Sequence, residues 1–364
     1  MNEQKIKQVF FTLLQSGLWN KPVQHLENFP LSESDWELVY LWAVHQTVEG
    51  VLFDGIQQLP QNLQPQKSIL LKWIVRVEKL AMRNNWMNQI LVDQIHFFSQ
   101  IQVSPILLKG QGLAQYYEEP SRRVSGDIDW YFENRKDYSK VAAALHSKDI
   151  TVQEDAGYSL SYVWNNCEIE HHQRMFDLHN PFLKGFLGKL AKKEEPKRLT
   201  LEVNEKTITL PSALETLVQV NAHILKHLLS FGIGLRQLCD AARAYFSLKN
   251  QYDERELQQV YKRAGLHKWI DLLHHILVKN LGLAESYLPF ALNKNNNAEW
   301  MLEDILLAGN FGFHHEAYKS EELRAGKRQQ IGKRLFSSFI KYVPVAPKEA
   351  ISFPIVHFLS RFSH

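Results

Sequence analysis

The run Gly126-Asp127-Ile128-Asp129-Trp130-Tyr131-Phe132 decides the reading of this chain. A glycine opens an alternating, aromatic-rich segment of strand character. Successive side chains of a strand point to opposite faces, so Asp127 and Asp129 point the same way. Two aligned carboxylates repel each other, and holding them together is costly unless a cation lies between them. A hard divalent cation such as Mg²⁺ takes oxygen ligands and leaves room for substrate phosphates. The pattern therefore points to phosphoryl or nucleotidyl transfer. A solvated strand edge with two surface acids would show the same Asp-x-Asp, so the surroundings carry the decision.

Upstream, Val103 to Leu108 is a short apolar run that reads as a strand and ends at Lys109-Gly110-Gln111-Gly112. Glycine there lets the backbone approach a ligand, and Lys109 adds a compact positive charge suited to phosphate. A third glycine and the spacing of a P-loop are both missing, which excludes the common dinucleotide and Walker fingerprints. Leu113 to Tyr117 reads as a short helix and Glu119-Pro120-Ser121 as a loop. Arg122 and Arg123 follow, with planar guanidinium forks matched to phosphate oxygens.

Downstream, Asp137 to His146 has helical spacing. Ser159 to Trp164 and Cys167 to Leu178 read as two strands joined at Asn165-Asn166. A two-metal site wants a third carboxylate from a neighbouring strand. Glu168, Glu170 and His172 share one strand face, so Glu170 is the first choice with His172 beside it, and Asp177 is the alternative. A strand exposed on one face would alternate in the same way.

The flanks are helical. Lys67 to Gln100 contains no proline or glycine and reads as one long helix. Leu183 to Arg198 reads as loop and weak helix, and Leu199 to Leu210 as a small hairpin around Asn204-Glu205-Lys206. Ser212 and Glu215 form a capping box that opens another helix. Further helices are expected near 235–248, 254–263, 269–281 and 299–307. His223 and His227 stand one turn apart and could face one ligand, but no further ligand stands in register for zinc. Arg236 and Asp240 read as a helix-surface ion pair. The fold class is α+β: a small mixed-sheet core at 101–210 between an N-terminal helical region, 1–100, and a C-terminal helical domain, 211–364.

The bulk numbers are ordinary for a globular protein, with 45% hydrophobic and 22% charged residues among 364. A net charge of +3 argues against a long nucleic-acid partner. Two cysteines, Cys167 and Cys239, exclude a disulfide framework and fit a reducing compartment. No signal-peptide core follows the first residues and no apolar stretch is long enough to span a bilayer, so a soluble, cytoplasmic protein without membrane contact is expected.

Leu107-Leu108-Lys109-Gly110, then Leu113-Ala114, Tyr117, Pro120, Arg123 and Gly126-Asp127-Ile128-Asp129 form an ordered set. Together they resemble a bacterial family of uncharacterised nucleotidyltransferases within the polymerase-beta-like superfamily. The similarity continues at Glu170-His171-His172, at His223 and His227, and from Gly234 to Asp240. It spans about residues 30 to 345. The resemblance implies a nucleotidyltransferase fold whose Asp127, Asp129 and Glu170 bind Mg²⁺ or Mn²⁺ and serve catalysis. It places Gly110 where the superfamily's glycine contacts phosphate. Lys109, Arg123 and Gly126 are the further candidates for the nucleotide phosphates, and His172, His223, His227 and Arg236 for the substrate pocket. The implied reaction moves a nucleoside monophosphate from an NTP such as ATP to an unidentified acceptor hydroxyl, releasing pyrophosphate. Three positions depart from the pattern: Lys109-Gly110 replaces Gly-Gly or Gly-Ser, Trp130 replaces a smaller aliphatic, and His171 replaces an apolar residue. An inactive nucleotide-binding regulatory module and a helical interaction protein are the alternative readings.

Overall fold

The long segment without helix breakers forms α4 (Lys67–Gln100) of the computed structural model, which describes residues 3–155, 159–230, 232–309 and 336–359. Before it come α1 (Glu3–Trp19), α2 (Glu33–His45) and α3 (Glu49–Gln57). After it the chain builds β1 (Ile106–Leu108), α5 (Gly110–Ala114), β2 (Ile128–Tyr131), α6 (Arg135–His146), β3 (Gln153–Asp155), β4 (Ser159–Trp164) and β5 (Cys167–His172). These five strands form one sheet in the order β1-β2-β5-β4-β3. Only β2 and β5 run parallel; the other pairs are antiparallel. The β4–β5 turn is Asn165-Asn166, both at positive φ (48° and 66°), as a two-residue hairpin requires.

The sheet has two unlike faces. On one, Leu107, Ile128, Trp130 and Ile169 pack against Phe98 and Leu91 of α4 and against Val141 and Leu145 of α6. Trp130 is fully buried there, with its ring 5.2 Å from that of Phe98 in a T-shaped contact. His171 is also on this face. Its Nε2 lies 3.0 Å from the Tyr162 hydroxyl, which donates to Gln94 Oε1 at 2.7 Å. Burial holds His171 well below the usual histidine range, so it is neutral in this core. The other face carries Asp129, Glu170 and His172.

That second face looks towards the C-terminal helices: α8 (Ala213–Leu229), α9 (Leu235–Ser247), α10 (Glu254–Ala264), α11 (His267–Lys279), α12 (Glu299–Ala308) and a final helix, Pro347–Leu359. The capping box forms: Ser212 accepts from the Glu215 amide and Glu215 accepts from the Ser212 amide. Between sheet and α8 lie α7 (Lys184–Glu194) and the hairpin β6 (Leu199–Val203) and β7 (Lys206–Leu210). The expected loop and weak helix at Leu183–Arg198 is thus corrected to a regular helix over most of its length. Tertiary contact overrides its two glycines: Leu190 is buried, and Glu194 binds the Ser212 hydroxyl and Lys197. The strand expected to reach Leu178 stops at His172, and the short β3 was not anticipated.

The early and late helices share one hydrophobic cluster that runs from Ile6 to Phe353. Gln15 donates to the Asn280 carbonyl at 2.9 Å, and Arg243 donates to the Leu18 carbonyl at 3.0 Å. Helices α1 and α3 cross so closely that a Cβ at Gly17 would lie 1.8 Å from the Val51 carbonyl oxygen, and one at Gly55 2.0 Å from that of Leu13. Replacing Gly55 by alanine gains about 1 kcal/mol of helix propensity. The overpacking at a backbone contact costs about 3 kcal/mol or more and wins. Gly55→Ala should therefore lower the urea midpoint clearly; a midpoint equal to wild type would show that the helices slide apart freely.

Candidate active site

The β2–β5 register sets Asp129 directly beside Glu170, and Tyr131 beside His172. Ligand atoms of Asp129, Glu170 and His172 all lie within 4.8 Å of one another. His172 Nε2 is 2.7 Å from Asp129 Oδ1 and 3.5 Å from Glu170 Oε2. Because β2 has partners on both sides and Asp129 is only 2% exposed, the solvated-edge reading is corrected. Asp127 precedes Ile128, the first residue held by the β2–β5 ladder. It lines the same cavity but stands outside the close triad.

Lys109 follows β1 with φ 48° and ψ −140°, a conformation that side-chain-bearing residues rarely adopt. It brings its ammonium to 3.0 Å from Asp129 Oδ1. Burial opposes the charge on each partner, but mutual attraction overcomes it. Lys109 is held above its usual range, and Asp129, which also accepts from His172, is held below its own. Glu170 is pushed up to about 7, first by burial and then by the neighbouring Asp129 charge. Asp127 is raised for the same two reasons. Gly110 follows at φ 41°, where glycine is free of strain.

Across the cavity, α8 supplies a second group. His223 Nδ1 donates to Asp177 Oδ2 at 2.8 Å, and Lys226 Nζ donates to Asp177 Oδ1 at 2.9 Å. Burial pushes Asp177 up, but Lys226 and His223 outweigh it and hold the carboxyl well below the usual range. Burial and then Lys109 bring His223 down to about 4. The rings of His223 and His227 meet at 4.3 Å, so the two histidines do share a site. Asp177, the alternative third acid, thus pairs with α8 while Glu170 joins Asp129. The cavity measures about 680 Å³.

Its remaining wall is the loop before β2. Arg123 is buried, and its Nε and Nη2 donate to the two oxygens of Asp240 at 2.7 and 2.8 Å. Its Nη1 donates to Ser125 Oγ, and Tyr117 donates to the same Asp240 at 2.7 Å. The guanidinium is therefore spent on holding the loop to α9. The expected Arg236–Asp240 surface pair is corrected: Asp240 is buried and bound to Arg123, while Arg236 donates to the Val124 carbonyl at 2.7 Å and keeps Nε without a partner among the described residues. From the other side, Arg83 donates to the carbonyls of Ser125 and Gly126, and Asn84 to those of Ser121 and Arg123.

Sequence reasoning named Lys109, Gly110, Arg123, Gly126, Asp127, Asp129, Glu170, His223, His227 and Arg236, which the structure brings to this one cavity, with His172 on Asp129. It missed Lys226, Arg83 and Asn84. Lys226 had a local signal, since it lies three residues after His223 on the same helix face. Arg83 and Asn84 had none; they sit mid-helix far from the acids in sequence.

A protein-family model described as uncharacterised nucleotidyltransferase matches residues 32–282. No curated protein matches the chain. Among solved structures, an antigenic nucleotidyltransferase-like protein from Paracoccidioides brasiliensis is similar at 13% identity and a TM-score of 0.33, covering 57% of this chain and 93% of its own. Among the described residues, no helix is long and apolar enough to cross a membrane.

The raised carboxyl of Glu170 has a direct consequence for metal-free protein. Between its ordinary 4.5 and about 7 the folded state holds more proton there than the unfolded one, so this residue's contribution to stability is lost as pH rises through that window. In EDTA, Glu170→Gln should match wild type in Tm near pH 4.5 and exceed it increasingly towards pH 7.5. A Tm difference independent of pH would overturn the assignment.

Proposed function

On the footing that this chain belongs to the uncharacterised nucleotidyltransferase family, we propose that it transfers a nucleoside monophosphate from an NTP to an acceptor hydroxyl and releases pyrophosphate. One observation carries the reading. Two carboxylates from adjacent parallel strands and an imidazole converge at one side of a cavity whose other walls bear cations. The polymerase-beta-like superfamily and a bacterial source, both implied by the resemblance, are in keeping with it.

The donor set fits a divalent cation. Carboxylate oxygens of Asp127, Asp129 and Glu170 suit Mg²⁺, and a set that includes His172 is also acceptable to Mn²⁺. When bound, such an ion polarises the phosphate and makes the acceptor hydroxyl more acidic. The chain's own groups do the rest. Lys109 and Arg236 neutralise phosphate charge at the wall of the cavity. Arg123 holds the Val124–Gly126 backbone against α9, so that Gly110 and Gly126 border the phosphates as main chain. His223, fixed by Asp177, starts neutral and takes the proton of the incoming hydroxyl on its other ring nitrogen. The acceptor oxygen forms its bond to the α-phosphorus as the bond to the departing pyrophosphate breaks. In this organisation residues 101–210 carry the acids, 211–364 shape the acceptor side, and 1–100 brace the loop before β2.

Thermal unfolding with each of the four NTPs, with and without Mg²⁺ or Mn²⁺, tests this on wild type and Asp129→Asn. A nucleotide at a hundred times its Kd adds about 2.7 kcal/mol and raises Tm by several degrees. The shift should need the metal and vanish in Asp129→Asn, and pyrophosphate should appear with one of a panel of hydroxyl acceptors. Binding without pyrophosphate across the panel would favour the regulatory module, and no shift with any NTP would favour the interaction protein.

A further inference from the structure

Lys109 sits where an incoming cation must go. Its ammonium is 3.0 Å from Asp129 Oδ1, the oxygen that also contacts His172, and 3.5 Å from His223 Nδ1. Asp127, Glu170 and Asp177 add their charge to the same ammonium. The side chain is only 12% exposed, so it cannot relax into solvent without leaving the acids. A free divalent ion approaching Asp129 therefore meets a fixed positive charge at contact distance, where like charges repel strongly. The positive φ at Lys109 is part of this arrangement, since it turns the strand end so that the side chain lies over β2 instead of continuing along β1.

A triphosphate changes the balance. It offers Lys109 new anionic oxygens within the same cavity, while its own metal replaces the ammonium at Asp129. The two exchanges are favourable together and unfavourable apart.

We propose that the site takes the divalent cation and the triphosphate as one preformed complex, with Lys109 as the displaceable counter-cation that excludes the free metal. This rests on the nucleotidyltransferase reading and specifies the form of its substrate. Lys109 thus selects what loads: it occupies Asp129 before substrate arrives and moves to the phosphates afterwards.

Binding measurements on the full chain, stripped with EDTA, test it without any acceptor. Free Mn²⁺ is titrated by electron paramagnetic resonance, and a preformed 1:1 complex of Mn²⁺ with inorganic tripolyphosphate by calorimetry. Wild type should bind the complex at least about tenfold more tightly than free Mn²⁺. Lys109→Met should bind free Mn²⁺ about tenfold more tightly than wild type, since removing one adjacent charge is worth a decade or more at protein-like dielectric. It should also bind the complex more weakly than wild type does, so that the preference collapses. Lys109→Arg keeps the charge and should keep the wild-type order. Lys109→Gln gives the same reading as Lys109→Met if the methionine variant does not fold. Unchanged or weaker Mn²⁺ binding in a folded neutral variant overturns the proposal while leaving the nucleotide site intact. Binding of the Mn²⁺–tripolyphosphate complex that is absent, or indifferent to Asp129→Asn, overturns the nucleotidyltransferase reading and the proposal with it.

Discussion

The parallel pairing of β2 with β5 is the constraint on which the site depends. Residue pairing in a strand has a period of two, so a slip of one residue would send Asp129 into the Trp130 core and Trp130 into the cavity. The apolar set Ile128, Trp130 and Ile169 fixes the register by needing the α4 face. Once it is fixed, Asp129 and Glu170 have no choice but to stand side by side. The acids are held together by the packing behind them, at a cost in repulsion that Lys109 and His172 offset.

Charge compensation then organises the cavity in pairs. Asp129 has Lys109, Asp177 has Lys226 and His223, and Asp240 has Arg123. Each buried carboxylate would be costly alone, and each is matched by a cation from a different element. The pairs are consequently structural as well as chemical. Arg123–Asp240 joins the loop before β2 to α9, and Asp177–Lys226 joins the loop after β5 to α8. Arg236 differs from these, since among the described residues it meets a backbone carbonyl and no carboxylate within salt-bridge range, which leaves it as a cation with charge to spare.

Much of this was legible in the sequence because the signals are local. The helix at Lys67–Gln100 follows from the absence of breakers, the two hairpins from their asparagine turns, and the start of α8 from its capping box. The acids were legible because strand alternation places 168, 170 and 172 on one face. What could not be read were choices made between distant segments. Arg123 has a surface-like neighbourhood in sequence, and only the approach of α9 turns it inward. The helix at Lys184–Glu194 contains two glycines and gains its order from Ser212 and the core. Asp127 and Asp129 look equivalent as letters, yet only Asp129 lies within the ladder that fixes its position.

The shared core of early and late helices bears on how the protein is made. Gln15 must wait for Asn280, 265 residues later in the chain, before it finds the carbonyl that it binds. At about 5–20 residues per second, translation leaves α1 without that partner for about 13 to 53 s. Through that interval the face of α1 that meets the late helices stands uncovered while the sheet and its acids are being laid down. The α+β unit can assemble first as an excursion from an unfinished helical body, and the nascent chain is a natural client for chaperones until α11 emerges.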